Sequence, residues 1–271
     1  MAGIAARNQG GCGSNVARVE PNPGAAVKVP SRLKVPGNIR GHTKHFTVYV
    51  DPALGPGGKR DADVVLAHCE ADYSKISGYF GGLAAGPFGV ILFSNPKGAH
   101  HLNCDATNLY VDAKTNPARG NHSEFLNVAE LIEVFEAVQG KGWDCQKSNG
   151  EGLSRVLAAD LYPAEVGGFA TAHVWLDSRR PNYVDRNINS DVNPTANGCA
   201  VLFLNWLHFQ HGHSWRRIVA AAAPTLGKTY TKLTGRKDGF DRFSALIDSR
   251  FPAGRPSRLA GDNPFPIHPD R

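Results

Sequence analysis

Residues 46–51 read FTVYVD, an alternation of apolar and polar positions with the period of a half-buried strand. The turn-rich stretch Pro52 to Arg60 follows. Asp61 or Asp63 is placed to cap a helix running to about Tyr79, whose apolar side carries Val64, Val65, Ala67, His68, Ala71 and Ile76, and Gly81 to Pro87 ends it. Phe88 to Phe93 is an unbroken apolar run of strand length, and after the polar loop Ser94 to Ala106 the segment Thr107 to Ala113 (TNLYVDA) reads as another strand. Glu124 to Gln139 has the clearest helical period in the chain and is closed by Gly140 and Gly142. Asn149 is placed to cap a short helix through Leu161, stopped by Pro163, and a further helix is expected over Gly168–Asp177. Ser178 to Gly198 reads as a long polar loop, and Ala200 to Gln210 as a buried helix. Ser214 caps the next, and Gly239 to Phe251 is the last, with Phe240, Phe243, Leu246 and Ile247 at core spacing. Strands come first and helices later, which predicts an α+β class: a small N-terminal sheet followed by a mostly helical C-terminal half.

The first 45 residues have neither period. They are rich in Gly, Pro, Asn and Val, and hold seven basic residues (Arg7, Arg18, Lys28, Arg32, Lys34, Arg40, Lys44) against Glu20 alone. The formal charge of +6 therefore resides in this arm; residues 253–271 add +1, and the body between is close to neutral at −1. The expected organisation is a basic extended arm over 1–45, a globular domain over 46–252 and a C-terminal tail over 253–271. Two readings of the arm stay open: a leader solvated or packed on its own domain, and a strap that assembles copies of the chain into a homo-oligomer. Nucleic acid is not an expected partner, because the basic residues stand singly and have no aromatic neighbours to stack bases.

Composition is that of an ordinary globular protein, 41% hydrophobic and 20% charged. No stretch approaches the roughly 18 to 20 apolar residues of a membrane span. Met1 to Asn15 lack the apolar core of a secretory signal, so the expectation is a soluble chain that either stays inside the cell or is a processed secreted form; the compartment is otherwise open. Of five cysteines, Cys69, Cys104, Cys145 and Cys199 fall in the body, enough for two disulfides, and Cys12 is left over. There is no CxxC pair, no phosphate loop, no dinucleotide fingerprint and no nucleophile elbow, and no cofactor is expected.

The helix over 124–139 carries the candidate chemistry. At 100° per residue, Phe125, Val128, Leu131, Ile132, Phe135 and Val138 form one broad apolar face. Glu130, Glu133 and Glu136 fall opposite, but among Leu126, Ala129, Val134 and Ala137, so another element is expected to cover the acidic side as well. Glu130 and Glu133 are one turn apart, and covered together they require a shared proton, a cation or a nearby Arg such as Arg155. Glu151 opens the following helix in Ser148-Asn149-Gly150-Glu151-Gly152. A solvated acidic face and a Glu suited to the helix dipole are the alternative account of these residues.

The run Ala129-Glu130-Leu131-Ile132-Glu133, with Glu151 18 residues beyond Glu133, resembles the gluzincin arrangement of zincin metallopeptidases. There HExxH on one helix supplies two histidine ligands and a general-base Glu, and a Glu on the next helix completes the zinc site. The resemblance implies a zincin-like fold over Phe46 to Pro252, with Glu130 in the general-base position and Glu151 as third ligand. Ala129 and Glu133 occupy the two histidine positions, so no conventional zinc site is expected. The chain is also similar to bacterial hypothetical proteins with NGEGLSR and CAVLFLN-like segments.

These residues imply a pseudo-peptidase that binds an unknown ligand, or a hydrolase working through a carboxylate cluster; a structural role for the basic arm is the third reading. Glu130, Glu133 and Glu151 are the candidate catalytic groups, and they are expected to converge. Asn149, Arg155, His100 and His101 are candidate ligand-binding residues, with the two histidines brought beside the central helix by a strand edge. His208, His211 and His213 are expected to serve structural or surface roles.

Overall fold

The computed structural model describes residues 37–94, 98–113, 121–189 and 193–268. The β-branched and aromatic runs of the first part form one five-stranded sheet: β1 (Asn38–His42), β2 (Phe46–Val50), β3 (Phe88–Phe93), β4 (Ala99–His100) and β5 (Asn108–Asp112). Its spatial order is β1-β2-β3-β5-β4. The three inner strands are parallel, while β1 and β4 run antiparallel along the two edges. Parallel neighbours need a crossover, and helix α1 (Gly55–Tyr79) supplies it between β2 and β3. The continuous apolar run of β3 suits a central strand buried on both faces. Its alternate residues are sorted by the period of two: Phe88, Val90 and Leu92 join the main core with Phe46, Val48, Val50, Leu109 and Val111, whereas Ile91 packs with Tyr49 and Tyr110 in a second cluster on the other face.

The helical part comprises α2 (His122–Gln139), α3 (Ser148–Leu161), α4 (Ala172–Leu176), α5 (Pro194–Asn205), α6 (Trp215–Ala220), α7 (Leu226–Thr234) and α8 (Gly239–Arg250). The chain is thus a mixed α+β protein with its sheet in the N-terminal part, and none of its described helices is long and apolar enough to cross a membrane. Helix α5 is buried from Ala196 to Asn205. It continues into a π-helical turn at Trp206–Gln210, which lays His208 on the Trp215 ring at 4.1 Å. Helix α3 is held between α2 and α5. That position depends on small residues: a Cβ at Gly152 would lie 2.5 Å from the Ala200 methyl, and one at Gly150 would lie 2.3 Å from the Asp144 carbonyl oxygen.

Several boundaries differ from the sequence expectation. The sheet takes in Asn38–His42, part of the expected arm, although Ile39 is 58% exposed and the segment has no apolar period. Backbone pairing to β2, with Asn38 opposite Val50 and His42 opposite Thr47, is what makes it a strand. Residues 1–36 of the arm, with Cys12, lie outside the described residues. Helix α1 begins at Gly55 rather than at Asp61 or Asp63. Its Gly-Pro-Gly-Gly start packs on Leu54, where a Cβ on Gly58 would come within 2.3 Å. Asp63 instead receives a bidentate pair from Arg40 of β1, at 2.7 and 2.6 Å.

Further along, α3 starts one residue before Asn149. Residues 163–168 form a 3-10 turn, so the helix expected over 168–177 is confined to α4. Helix α5 starts inside the expected loop, capped by Asn193 accepting from Ala196 N at 3.0 Å. Helix α7, not expected from the sequence, is capped by Thr225. The C-terminal segment is no free tail: Asp262 Oδ1 accepts from Thr171 N and Ala172 N, both at 2.8 Å, and Phe265 and Ile267 are buried.

The Gly150 contact yields a stability prediction. Helix propensity alone favours alanine there by about 1 kcal/mol, but the overlap is with backbone, which cannot swing away, and overpacking costs about 1–3 kcal/mol. Gly150→Ala should therefore lower the unfolding free energy, by up to about 2 kcal/mol net, in urea melts followed by circular dichroism.

Candidate functional site

A cleft of about 630 Å³ opens beside the short edge strand β4. The segment from Gly98 to Cys104 forms one wall, α2 the floor, and the first two turns of α3 the opposite wall. His101, Glu130, Glu133, Glu151, Ser154 and Arg155 supply much of its polar lining. The helical spacing of three places Glu130 and Glu133 on one side of α2, and the packing of α3 on α2 brings Glu151 to the same cleft. The covering element expected from the mixed composition of that helix side is α3.

His101 joins the carboxylates. Its Nδ1 is 2.8 Å from Glu130 Oε2 and its Nε2 is 3.5 Å from Glu133 Oε2. The side chains are nearly enclosed, with 5% of His101, 12% of Glu130 and 9% of Glu133 exposed. Ser154 Oγ donates to Glu133 Oε1 at 3.2 Å. Burial is the main cause that raises the Glu133 carboxyl well above the ordinary range, and the charges of Glu130, Glu151 and Glu136 act the same way; the Ser154 bond opposes them. The shift favours the protonated form of Glu133. Arg155 stands at the α3 wall with Nε 3.6 Å from Glu151 Oε2, and Nη1 donates to the Phe169 carbonyl at 3.4 Å.

One turn beyond Glu133, Glu136 is fully buried, and neither of its carboxyl oxygens has a hydrogen-bond partner among the described residues. It sits against the start of α3, where its Oε2 is 2.6 Å from the position a Gly150 Cβ would take. Burial first, and then the charges of Glu151 and Asp144, push it well above the ordinary carboxylate range, which favours its protonated form.

Of the other sequence candidates, His100 turns away from its neighbour. Strand alternation sends its ring against Tyr110 in a stacked contact at 5.1 Å, although its residue still borders the cleft. Asn149 is a correction: its side chain is buried and spent inside the protein. Nδ2 donates to the carbonyls of Gly142 at 2.7 Å and Ala223 at 3.3 Å, and Oδ1 accepts from Gly150 N and Asn187 Nδ2. It anchors the start of α3 and does not line the cleft. His208 Nδ1 donates to the His213 carbonyl at 2.7 Å, a structural contact outside the cleft.

Two features of the site escaped sequence reasoning. Ser154 follows Glu151 by three residues and so shares its helix side, a spacing that was available to find it. The pairing of Cys104 with Cys145 in a disulfide was not available. It ties the loop after β4 to the loop before α3, and both cysteines line the cleft. The other two described cysteines, Cys69 and Cys199, are free and buried, and burial raises the Cys69 thiol to about 11. No protein-family model matches the chain, and no curated protein or solved structure matches it either.

The buried Glu136 carboxyl makes stability depend on pH in a defined direction. Its folded value is raised, so folded and unfolded forms are both protonated below the ordinary value of about 4.3. Above that value the unfolded chain releases the proton while the folded chain keeps it, and stability falls as pH rises. Glu136→Gln removes this contribution. The variant should exceed the wild type in unfolding free energy by about 1 kcal/mol or more at pH 8, and the gap should close near pH 4 when both are melted in urea.

Proposed function

We propose that this cleft hydrolyses a polar substrate by acid and base catalysis, with Glu133 as the acid and His101, held by Glu130, as the base. The observation that carries the reading is the bridge made by one imidazole between two carboxyls in unlike environments. Glu130 as a carboxylate accepts from Nδ1–H, which leaves Nε2 as the acceptor nitrogen facing Glu133. Glu133, whose carboxyl burial pushes toward the protonated form, is the proton donor in this reading.

In the proposed cycle, substrate entering the cleft separates Glu133 from Nε2, a contact that is already long at 3.5 Å. His101 Nε2 takes a proton from water as the water attacks, and Glu133 gives its proton to the leaving group. Ser154 keeps Glu133 Oε1 fixed during the exchange. Arg155 offers positive charge at the α3 wall, suited to orienting an electron-rich atom of the substrate. Acid and base groups so placed contribute about 10²–10⁴-fold each.

The zincin resemblance is part of this proposal. In its favour are the succession of a sheet and the α2–α3 pair, and the meeting of Glu130, Glu133 and Glu151 at one cleft. The conventional zinc arrangement does not fit, because Ala129 has no donor atom and α2 offers Glu133 where a second histidine would stand, so no step is routed through such an ion. A second reading, a pseudo-peptidase that binds its ligand without turnover, is favoured by that same Ala129.

Turnover of a panel of peptide, ester and glycoside substrates separates the two. Glu133→Gln and His101→Gln should each lower kcat about 10²–10⁴-fold with little change in KM or in circular dichroism. Wild-type activity should decline on the alkaline side as Glu133 ionises through its raised value. A panel with no turnover at all would refute hydrolysis and leave the binding reading.

A further inference from the structure

The disulfide beside the acid and base pair has a second consequence. A ring nitrogen of His101, a carboxylate oxygen of Glu133 and the sulfur of Cys145 all lie within 4.8 Å of one another, each from a different segment of the chain. Nitrogen, oxygen and thiolate sulfur are the donor types zinc takes, and three protein ligands leave its fourth position open. The 3.5 Å between His101 Nε2 and Glu133 Oε2 is close to the roughly 3.4 Å edge expected between two ligands of a tetrahedral zinc with bonds of about 2.0–2.2 Å. The hydrogen bond from His101 Nδ1–H to Glu130, at 2.8 Å, is the carboxylate support that directs the other nitrogen toward a metal. One condition is unmet while Cys145 is bonded to Cys104: its sulfur is no thiolate.

We infer that the cleft is a redox-gated zinc site, in which reduction of Cys104–Cys145 frees Cys145 to bind Zn²⁺ together with His101 and Glu133. The reductant is a thiol. Two RSH molecules are oxidised to RS–SR, the Cys104–Cys145 bond is broken, and each cysteine sulfur takes one proton. Zinc then displaces the proton of Cys145 and the proton held on Glu133, and both pass to solvent. The disulfide spans 41 residues of sequence, so its loss frees a long loop of the unfolded chain and lowers stability, and metal binding to the folded form offsets part of this. Zinc held in this way ties up both Glu133 and His101. That inhibitory outcome rests on the hydrolytic reading, whereas metal binding does not.

Zinc titration of the full chain, followed by calorimetry, tests the site without any turnover assay. Oxidised wild type should bind no stoichiometric Zn²⁺, and wild type reduced and freed of reductant should bind one equivalent. Cys104→Ser, which leaves the Cys145 thiol free, should bind one equivalent without reductant, while Cys145→Ser, which loses the same disulfide, should not. Within the Cys104→Ser background, Glu130→Gln should weaken binding about 10–100-fold through loss of the supporting hydrogen bond, and His101→Ala should weaken it further. Equal binding by the oxidised and reduced wild type, or by the Cys104→Ser and Cys145→Ser variants, would overturn the inference. Should either serine variant fail to fold, the reduced wild type decides alone. Substrate turnover by the oxidised protein that is lost on adding Zn²⁺ to the reduced protein links the site to catalysis; turnover unaffected by bound zinc would sink the inhibitory role and leave the metal site standing.

Discussion

Packing α3 across the acidic side of α2 removes two carboxyls from water, and the rest of the site depends on how that cost is met. Ionised carboxyls cannot be left without partners in a dry interior. For Glu136 burial shifts the balance toward the protonated form, and for Glu133 it does the same while the Ser154 hydroxyl supplies a hydrogen bond. Glu130, nearer the opening, is partnered by His101. The same burial that is unfavourable for folding favours the protonated form of Glu133, the form that the proposed acid role requires.

The approach of the two helices is enforced from several directions. Gly150 and Gly152 allow α3 to lie against its neighbours where a methyl group would collide. Asn149 fixes the first turn through four hydrogen bonds to Gly142, Ala223, Gly150 and Asn187. The Cys104–Cys145 bond then clamps the loop leading into α3 to the loop leaving β4. His101 lies within this clamped frame, three residues before Cys104, so its distances to α2 are set by the sheet edge and the disulfide together. A site held on helices and a cross-linked strand end suffers little reorganisation when it acts.

The sheet edge explains why one histidine of the pair serves the site and its neighbour does not. β4 is only two residues long, yet pairing with β5 fixes its register, with Ala99 opposite Val111 and His100 opposite Tyr110. His100 is thereby committed to the aromatic cluster on the far face, and His101 emerges toward α2. A shift of one residue would exchange them.

The sequence by itself determined the α+β class, the strands at 46–50, 88–93 and 108–112, the central helix and the covering of its acidic side, because each rests on a local period that burial imposes along the chain. It also placed Glu130 and Glu133 as candidates, since i and i+3 share a helix side whatever surrounds them, while Glu151 was a candidate through the gluzincin resemblance. Tertiary structure decided what local pattern could not encode. β1 is a strand only through pairing with β2, Asp63 binds Arg40 instead of capping a helix, and Asn149 is consumed in anchoring α3. The pairing of Cys104 with Cys145, and the choice of His101 over His100, depend on segments about 30 to 40 residues apart meeting at one sheet edge. Proton affinity depends most of all on that meeting: desolvation of Glu133 and Glu136 comes from α3 lying over them, and a helical wheel shows only which way they point.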